Sequence, residues 1–153
     1  LLQEEAVATL KSDLLPHVDL LTPNLPEAAK LLGADAAQDQ QDMQDQALAL
    51  LELGPGAVLM KGGHSTGDTC TDLLLSRSTK PLSLSASRVN TRNTHGTGCT
   101  YSAAIAAQVA RGLPLTDAVT AAHVYLQKAI AAADDLTIGS GHGPVHHFHA
   151  VWS

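Results

Sequence analysis

Apolar and polar positions follow two rhythms along the chain. Leu2, Val7, Leu10 and Leu14 fall near helical spacing, so residues 3–15 predict a helix that Pro16 stops. The run "HVDLLT" (17–22) is short, apolar and β-prone and predicts a buried strand. "PNLPEAAKLLG" predicts a helix ending at Gly33. "DQQDMQDQALALLELG" predicts a second helix, with Met43, Leu50 and Leu51 on its apolar side and Gly54 as its stop. "GAVLMKGG" (56–63) reads as a buried strand and a glycine turn. "CTDLLLS" and "PLSLSASRV" alternate and predict strands at an edge of the sheet. Two more helices follow, over about 97–110 and 115–133, separated by Gly112 and Pro114. The tail "TIGSGHGPVHHFHAVW" predicts a loop and a docked end. No internal repeat or low-complexity linker interrupts the pattern.

Strands alternating with helices predict an α/β fold with a largely parallel sheet. Such sheets take ligands beyond the carboxyl ends of their strands. Three polar stretches, two of them glycine-rich, follow strands in this reading: "TPNLPE", "KGGH" and "NTHGTGC". They are expected to line one edge together.

Composition narrows the class. A chain of 153 residues fits one domain and can bury about 68–70% of its unfolded surface. With 44% hydrophobic and 16% charged residues it is globular rather than disordered. A formal charge of -6 argues against nonspecific nucleic-acid binding, which needs a basic footprint. Two cysteines, Cys70 and Cys99, are too few for a disulfide scaffold and suit a reducing compartment. No window approaches the roughly 18 consecutive apolar residues of a membrane span. The first residues are acidic where a signal peptide is basic. The expectation is a cytoplasmic protein without membrane or nucleic-acid partners.

The candidate chemistry lies in the glycine-rich stretches. In "HGTGCT" the glycines let backbone N–H groups approach an anion at a helix start that carries partial positive charge. Gly96, Thr97, Gly98 and Cys99 can therefore wrap a phosphate, although neither the GxxxxGK[ST] nor the full GxGxxG spacing is present. The alternative is a tight turn that lets the helix pack closely. A Cys in the first turn has its thiolate favoured and can accept a proton from a substrate hydroxyl; the alternative is a small buried residue. Asn24 and Glu27 are spaced as a capping box, or as a polar pair that holds a hydrated Mg²⁺. Lys61 ends an apolar strand, where it can neutralise a transferring phosphate, and Gly62 and Gly63 supply turn freedom after it. Asp72 reads as structural or as a contact from the sheet edge. The histidines of "PVHHFHAVW" read as a structural segment rather than a metal site, since no HExxH is present.

"TPNLPEA", "VLMKGGH", "VNTRNTHGTGCTYSAAIAA" and "GPVHHFHAVW" together resemble the hydroxymethylpyrimidine/phosphomethylpyrimidine kinase family of the ribokinase-like superfamily. The resemblance covers nearly the whole chain in the family's order. It implies a three-layer α/β/α fold with a mostly parallel central sheet. It implies phosphorylation of the hydroxymethyl group of an aminopyrimidine, and then of its monophosphate, with Mg-ATP in thiamine biosynthesis. Gly96, Thr97 and Gly98 would form the anion hole, and Cys99 would stand where the superfamily has its base, usually an Asp. Asn24 and Glu27 would match the N-x-x-E motif that organises magnesium and phosphate. Lys61, with Gly62 and Gly63, would approach the ATP phosphates. Asn93 and Thr94 would belong to the nucleotide site, and residues 89–93 with His123 and Gln127 would approach the adenine.

Family members are longer. On this reading residues 1–153 are the C-terminal, nucleotide- and phosphate-binding part of a single domain whose N-terminal half lies outside the sequence. The expectation is an incomplete kinase that acts on a small pyrimidine, as a homo-oligomer or with a companion chain. The alternatives are a pyridoxal-type kinase of the same superfamily and a non-catalytic nucleotide-binding fragment.

Overall fold

A computed structural model describes residues 4–64 and 67–152. Leu2 and Gln3 of the first expected helix lie outside the described residues. The chain divides into two compact units, Leu1–Ser87 and Arg88–Ser153.

The first unit opens with α1 (Glu4–Thr9), a wider helical turn (Leu10–Leu14) and a tight one (Leu15–His17) that contains Pro16. Residues 18–24 then run extended. Helix α2 (Leu25–Leu32) and helix α3 (Gln40–Leu51) follow. Both are limited by local chemistry. Asn24 caps α2 at its start, and Gly33, at φ 68°, ends it in the left-handed conformation that glycine adopts without steric cost. Asp39 caps α3 by accepting the Asp42 N–H at 2.8 Å. Strands β1 (Ala57–Met60), β2 (Thr69–Ser76) and β3 (Leu82–Ser87) complete the unit.

The three strands form a sheet in the order β1-β2-β3, with both pairings antiparallel. This departs from the largely parallel sheet expected. In this unit the extended segment before α2 pairs in parallel with β1, through bridges at Leu21–Val58 and Asn24–Lys61. There Leu21 N–H donates to Ala57 O at 2.9 Å and Leu59 N–H to Leu21 O at 2.8 Å. The expected strand at 17–22 is therefore an extended, half-buried to exposed segment, not a buried strand.

Strand β2 is also not at the edge. It lies between β1 and β3, and Asp72, Leu73, Leu74 and Leu75 are all buried. A strand flanked on both sides and covered loses the in–out alternation. Strand β3 keeps it and is the edge. Val58 and Met60 pair with Leu75 and Leu73, and these four side chains pack with Leu25, Leu31, Met43, Leu50 and Leu51 of α2 and α3 as one apolar core.

The second unit is two helices and a tail. Helix α4 (Thr97–Ala110) packs on helix α5 (Leu115–Ala131) through Tyr101 and Ile105 on one side and Ala118, Val119, Ala122 and Leu126 on the other. Gly112, at φ 91°, turns the chain between them. A tight turn (Ala133–Asp135) follows α5. The tail docks through buried Val145 and through His146 N–H, which donates to Ala129 O at 2.9 Å. Beyond that point Phe148 and Trp152 stack on each other with ring centres 4.7 Å apart, and both are exposed. The expected docked end thus reaches at least His147, which bonds Thr100 and Tyr125, while Val151 and Trp152 at its end are exposed.

Candidate functional site

In the first unit the parallel pairing of residues 21–24 with β1 brings two of the three polar stretches, "TPNLPE" and "KGGH", together. Lys61 N–H donates to Pro23 O at 2.9 Å, which sets Lys61 beside Asn24. The capping box is realised in full: Glu27 N–H donates to Asn24 Oδ1 and Asn24 N–H to Glu27 Oε2, each at 2.8 Å. Lys61 Nζ stands 3.9 Å from the same Oε2. The lysine side chain is 19% exposed and the glutamate 54%, so the lysine stem is sheltered while the carboxylate meets solvent. Both contacts use Oε2, on a glutamate side chain that is about half exposed. A single open carboxylate of this kind fits Mg²⁺, which keeps waters and takes its remaining ligands from phosphate oxygens.

The glycine turn after Lys61 is held from the neighbouring strand. Gly62 N–H donates to the buried Asp72 carboxylate at 2.9 Å. Neither Gly62 nor Gly63 has a positive φ, so turn freedom is not what selects them. Gly62 is selected by space: a Cβ there would stand 1.9 Å from Thr71 O. Gly63 has nothing within 4 Å of that position. Asp72, expected to be structural or a contact from the sheet edge, is structural: it is the acceptor for the turn, because β2 lies next to β1, a neighbour that alternation did not reveal.

In the second unit the stretch Asn93 to Cys99 runs directly into α4. Gly96 is the residue before the helix and has φ 82°. Glycine adopts this left-handed conformation without steric cost. The first bond of the helix is Thr100 N–H to Gly96 O at 2.8 Å, and Thr97 N–H and Oγ1 both donate to Thr94 O. Gly98 and Cys99 precede that first bond, so their N–H groups have no helical acceptor. Cys99 is exposed, in the first turn of the helix as expected. It lies at one end of a groove of about 590 Å³ whose walls are Ala103, Ala104 and Ala107 of α4 and Ala122 and Tyr125 of α5. His147 closes the groove: its Nε2 lies 2.9 Å from Thr100 Oγ1, and Tyr125 donates its hydroxyl to His147 O at 2.8 Å.

The adenine assignments are placed differently from one another. His123 is buried beside Tyr101, with ring centres 6.2 Å apart, and Gln127 is half-buried. The Asn93 side chain is fully engaged inside the chain, with Asp134, Ala133 and Gly143. Neither Asp134 nor Gly143 was identified from sequence, because both are far from Asn93 along the chain. Among the described residues no group of three or more His, Cys, Asp or Glu side chains is gathered as for a metal ion, and no helix is long and apolar enough to cross a membrane.

By fold, the chain is an α/β protein of the small-molecule kinase class. It superposes on a pyridoxal kinase from Staphylococcus aureus in complex with AMP-PCP with a TM-score of 0.90 and 29% identity, over 99% of this chain and 55% of that one. On a phosphomethylpyrimidine kinase from Clostridium difficile the TM-score is 0.68 and the identity 34%, over 85% and 51% of the two chains. The chain belongs to the phosphomethylpyrimidine kinase family, whose model matches residues 1–146. It is 53% identical over 152 residues to a hydroxymethylpyrimidine/phosphomethylpyrimidine kinase of Rhizobium meliloti, covering 99% of this chain and 57% of that relative. The chain thus spans little more than half the length of the curated relatives it matches.

Proposed function

We propose that the chain carries the ATP- and phosphate-handling part of a kinase of thiamine biosynthesis. The kinase transfers a phosphoryl group from Mg-ATP to the hydroxymethyl oxygen of 4-amino-5-hydroxymethyl-2-methylpyrimidine, and then to the resulting monophosphate. The observation that carries this reading is the start of α4: a left-handed glycine followed by N–H groups with no helical acceptor, beside an exposed thiol. Family membership and 53% identity give the substrate class.

In this reading Gly96, Thr97 and Gly98 shape the anion hole, and the Gly98 and Cys99 N–H groups bind the oxygens of the phosphoryl group in transit. The substrate oxygen forms its bond to the γ-phosphorus as the bond to the β–γ bridging oxygen breaks. The hydroxyl proton passes to the sulfur of Cys99, and ADP leaves. Lys61 binds nucleotide phosphate with its ammonium group, and Glu27, set by its bonds with Asn24, offers its open oxygen toward the metal. Magnesium supplies charge neutralisation across the phosphates when bound. Gly62 lets the chain pass close to Thr71 O behind Lys61, and Gly63 continues the same turn. Thr94 supports the loop through its carbonyl, and Asn93 holds the segment before it. Such a site works mainly by positioning and electrostatic stabilisation. The fold completes as a three-layer, mostly parallel domain in the longer family members, and self-association or a companion chain belongs to the same reading.

One observation favours a second substrate. The superposition on pyridoxal kinase is the better of the two described, whereas sequence identity is higher to the pyrimidine kinases. Shared fold does not fix substrate, and the higher identity supports the pyrimidine. Calorimetry with Mg-ATP, and mass spectrometry of products formed from hydroxymethylpyrimidine and from pyridoxal, test the reading. Preferential phosphorylation of the pyrimidine supports it and preference for pyridoxal selects the alternative. ATP binding with neither product marks a nucleotide-binding module, and absence of ATP binding overturns the reading.

A further inference from the structure

The side chain of Asn93 makes three hydrogen bonds to two distant parts of the second unit. Its Nδ2 donates to Asp134 Oδ1 at 2.9 Å and to Ala133 O at 3.2 Å, in the turn that follows α5. Its Oδ1 accepts the Gly143 N–H at 3.1 Å. An amide side chain has two N–H donors on one atom and an acceptor on the other, and here both ends are in use. The backbone on either side is tied in the same way. Asn93 N–H donates to Thr91 Oγ1 at 3.0 Å, and Thr91 Oγ1 donates in turn to Asp134 Oδ1. His95 N–H donates to Gly143 O at 3.0 Å, and Val145 N–H to His95 O at 3.3 Å. Val145, 1% exposed, anchors that side in the core.

Gly143 completes the arrangement by having no side chain. A Cβ there would stand 2.2 Å from Asn93 Oδ1. Its φ is not positive, so the requirement for glycine is one of space. The last rung, at His95, is adjacent to Gly96, where the chain turns into α4.

We propose that Asn93, closed on Asp134 and Gly143, is a positioning residue that fixes the conformation of residues 94–98, and that it does so without touching nucleotide. The functional half of this statement rests on the reading of that loop as a phosphate site; the clip itself does not. Asparagine is required because the same side chain must donate toward a carboxylate and accept from an amide. An aspartate at 93 would face the Asp134 carboxylate and lose both donors.

The test is a double-mutant cycle in this chain with Asn93→Ala, Gly143→Ala and the combination, plus Asn93→Asp. Amide hydrogen exchange at His95, Val145 and Thr100 reports the loop, and calorimetry with Mg-ADP reports the site. Each single alanine variant is expected to speed exchange at His95 and Val145 by about tenfold or more. Gly143→Ala is expected to cost much less in the Asn93→Ala background, because the clashing oxygen is gone. Mg-ADP affinity should fall about tenfold in both single variants. If Asn93→Ala does not fold, Gly143→Ala strains the same contact from the other side and is compared with wild type in its place. Unchanged exchange at His95 and Val145, or strictly additive effects in the cycle, overturns the clip. Faster exchange with unchanged Mg-ADP affinity overturns its positioning role. A wild-type chain that does not bind Mg-ADP overturns the phosphate reading instead, and the clip is then decided by exchange and the cycle alone.

Discussion

Gly62→Ala and Gly63→Ala are adjacent, chemically identical substitutions, and the structure separates them sharply. A Cβ at 62 would stand 1.9 Å from Thr71 O, an oxygen of a central strand that has nowhere to go. The turn must shift by more than an ångström. Forcing a methyl into a packed site costs about 1–3 kcal/mol. The same shift breaks the Gly62 N–H bond to the Asp72 carboxylate, which is buried. Loss of a hydrogen bond to a charged acceptor adds about 1.5–3 kcal/mol. The sum, roughly 2.5–6 kcal/mol, is a large share of the roughly 5–15 kcal/mol that holds a typical domain. At Gly63 the same methyl meets nothing within 4 Å and the φ is not left-handed. There the smaller entropy of the unfolded alanine chain leads, and stability changes by about 1 kcal/mol or less, toward stabilisation. Urea unfolding followed by circular dichroism measures both. With a slope of about 1–3 kcal/mol per molar urea, Gly62→Ala should lower the midpoint by more than about 1 M, while Gly63→Ala leaves it nearly in place. Equal midpoints for the two variants would refute the steric argument and return both glycines to the turn-freedom explanation.

Other substitutions test the remaining parts of the site. Gly96→Ala has room for its methyl but must adopt φ 82°, so it should cost about 1–2 kcal/mol of stability; a melting temperature equal to wild type would argue against a left-handed turn there. Asn24→Ala removes the cap of α2 and should cost about 1 kcal/mol in urea unfolding. Glu27→Gln keeps the shape of the cap but removes the charge beside Lys61, and calorimetry should show weaker Mg-ATP binding with little loss of stability. Cys99→Ala should reduce phosphoryl transfer far more than ATP affinity in a turnover-competent family domain; unchanged turnover would remove Cys99 from the mechanism.

Several features could be read from the residues because they depend on neighbours within a turn or two. Asn24, Glu27 and Gly33 delimit α2 through contacts three residues apart and a local backbone conformation. The buried run of β1 and the GTG entry into α4 are equally local. The resemblance to the pyrimidine kinases rested on the same short stretches, and the family match bears it out.

What pairs with what was not legible. The apolar run at 17–22 specified extended backbone but not its partner, and it lies parallel to β1 with much of its surface half-exposed. The alternation in β2 suggested an edge, yet neighbours on both sides made the strand interior. Gly62 looked like a residue chosen for turn freedom, and Gly143 was one glycine of an expected loop. Only the folded chain shows Thr71 O and Asn93 Oδ1 occupying the space where their side chains would be. By itself the sequence determined the limits of α2 and α4, because caps and turns are decided by atoms a few residues apart; the first helix, expected over 3–15, gives way after Thr9 to a wider turn and then a tight one that contains Pro16. The tertiary structure decided the sheet directions, the pairing of Lys61 with Glu27 and the closure of Asn93 on Gly143, because each joins segments that only folding brings within reach.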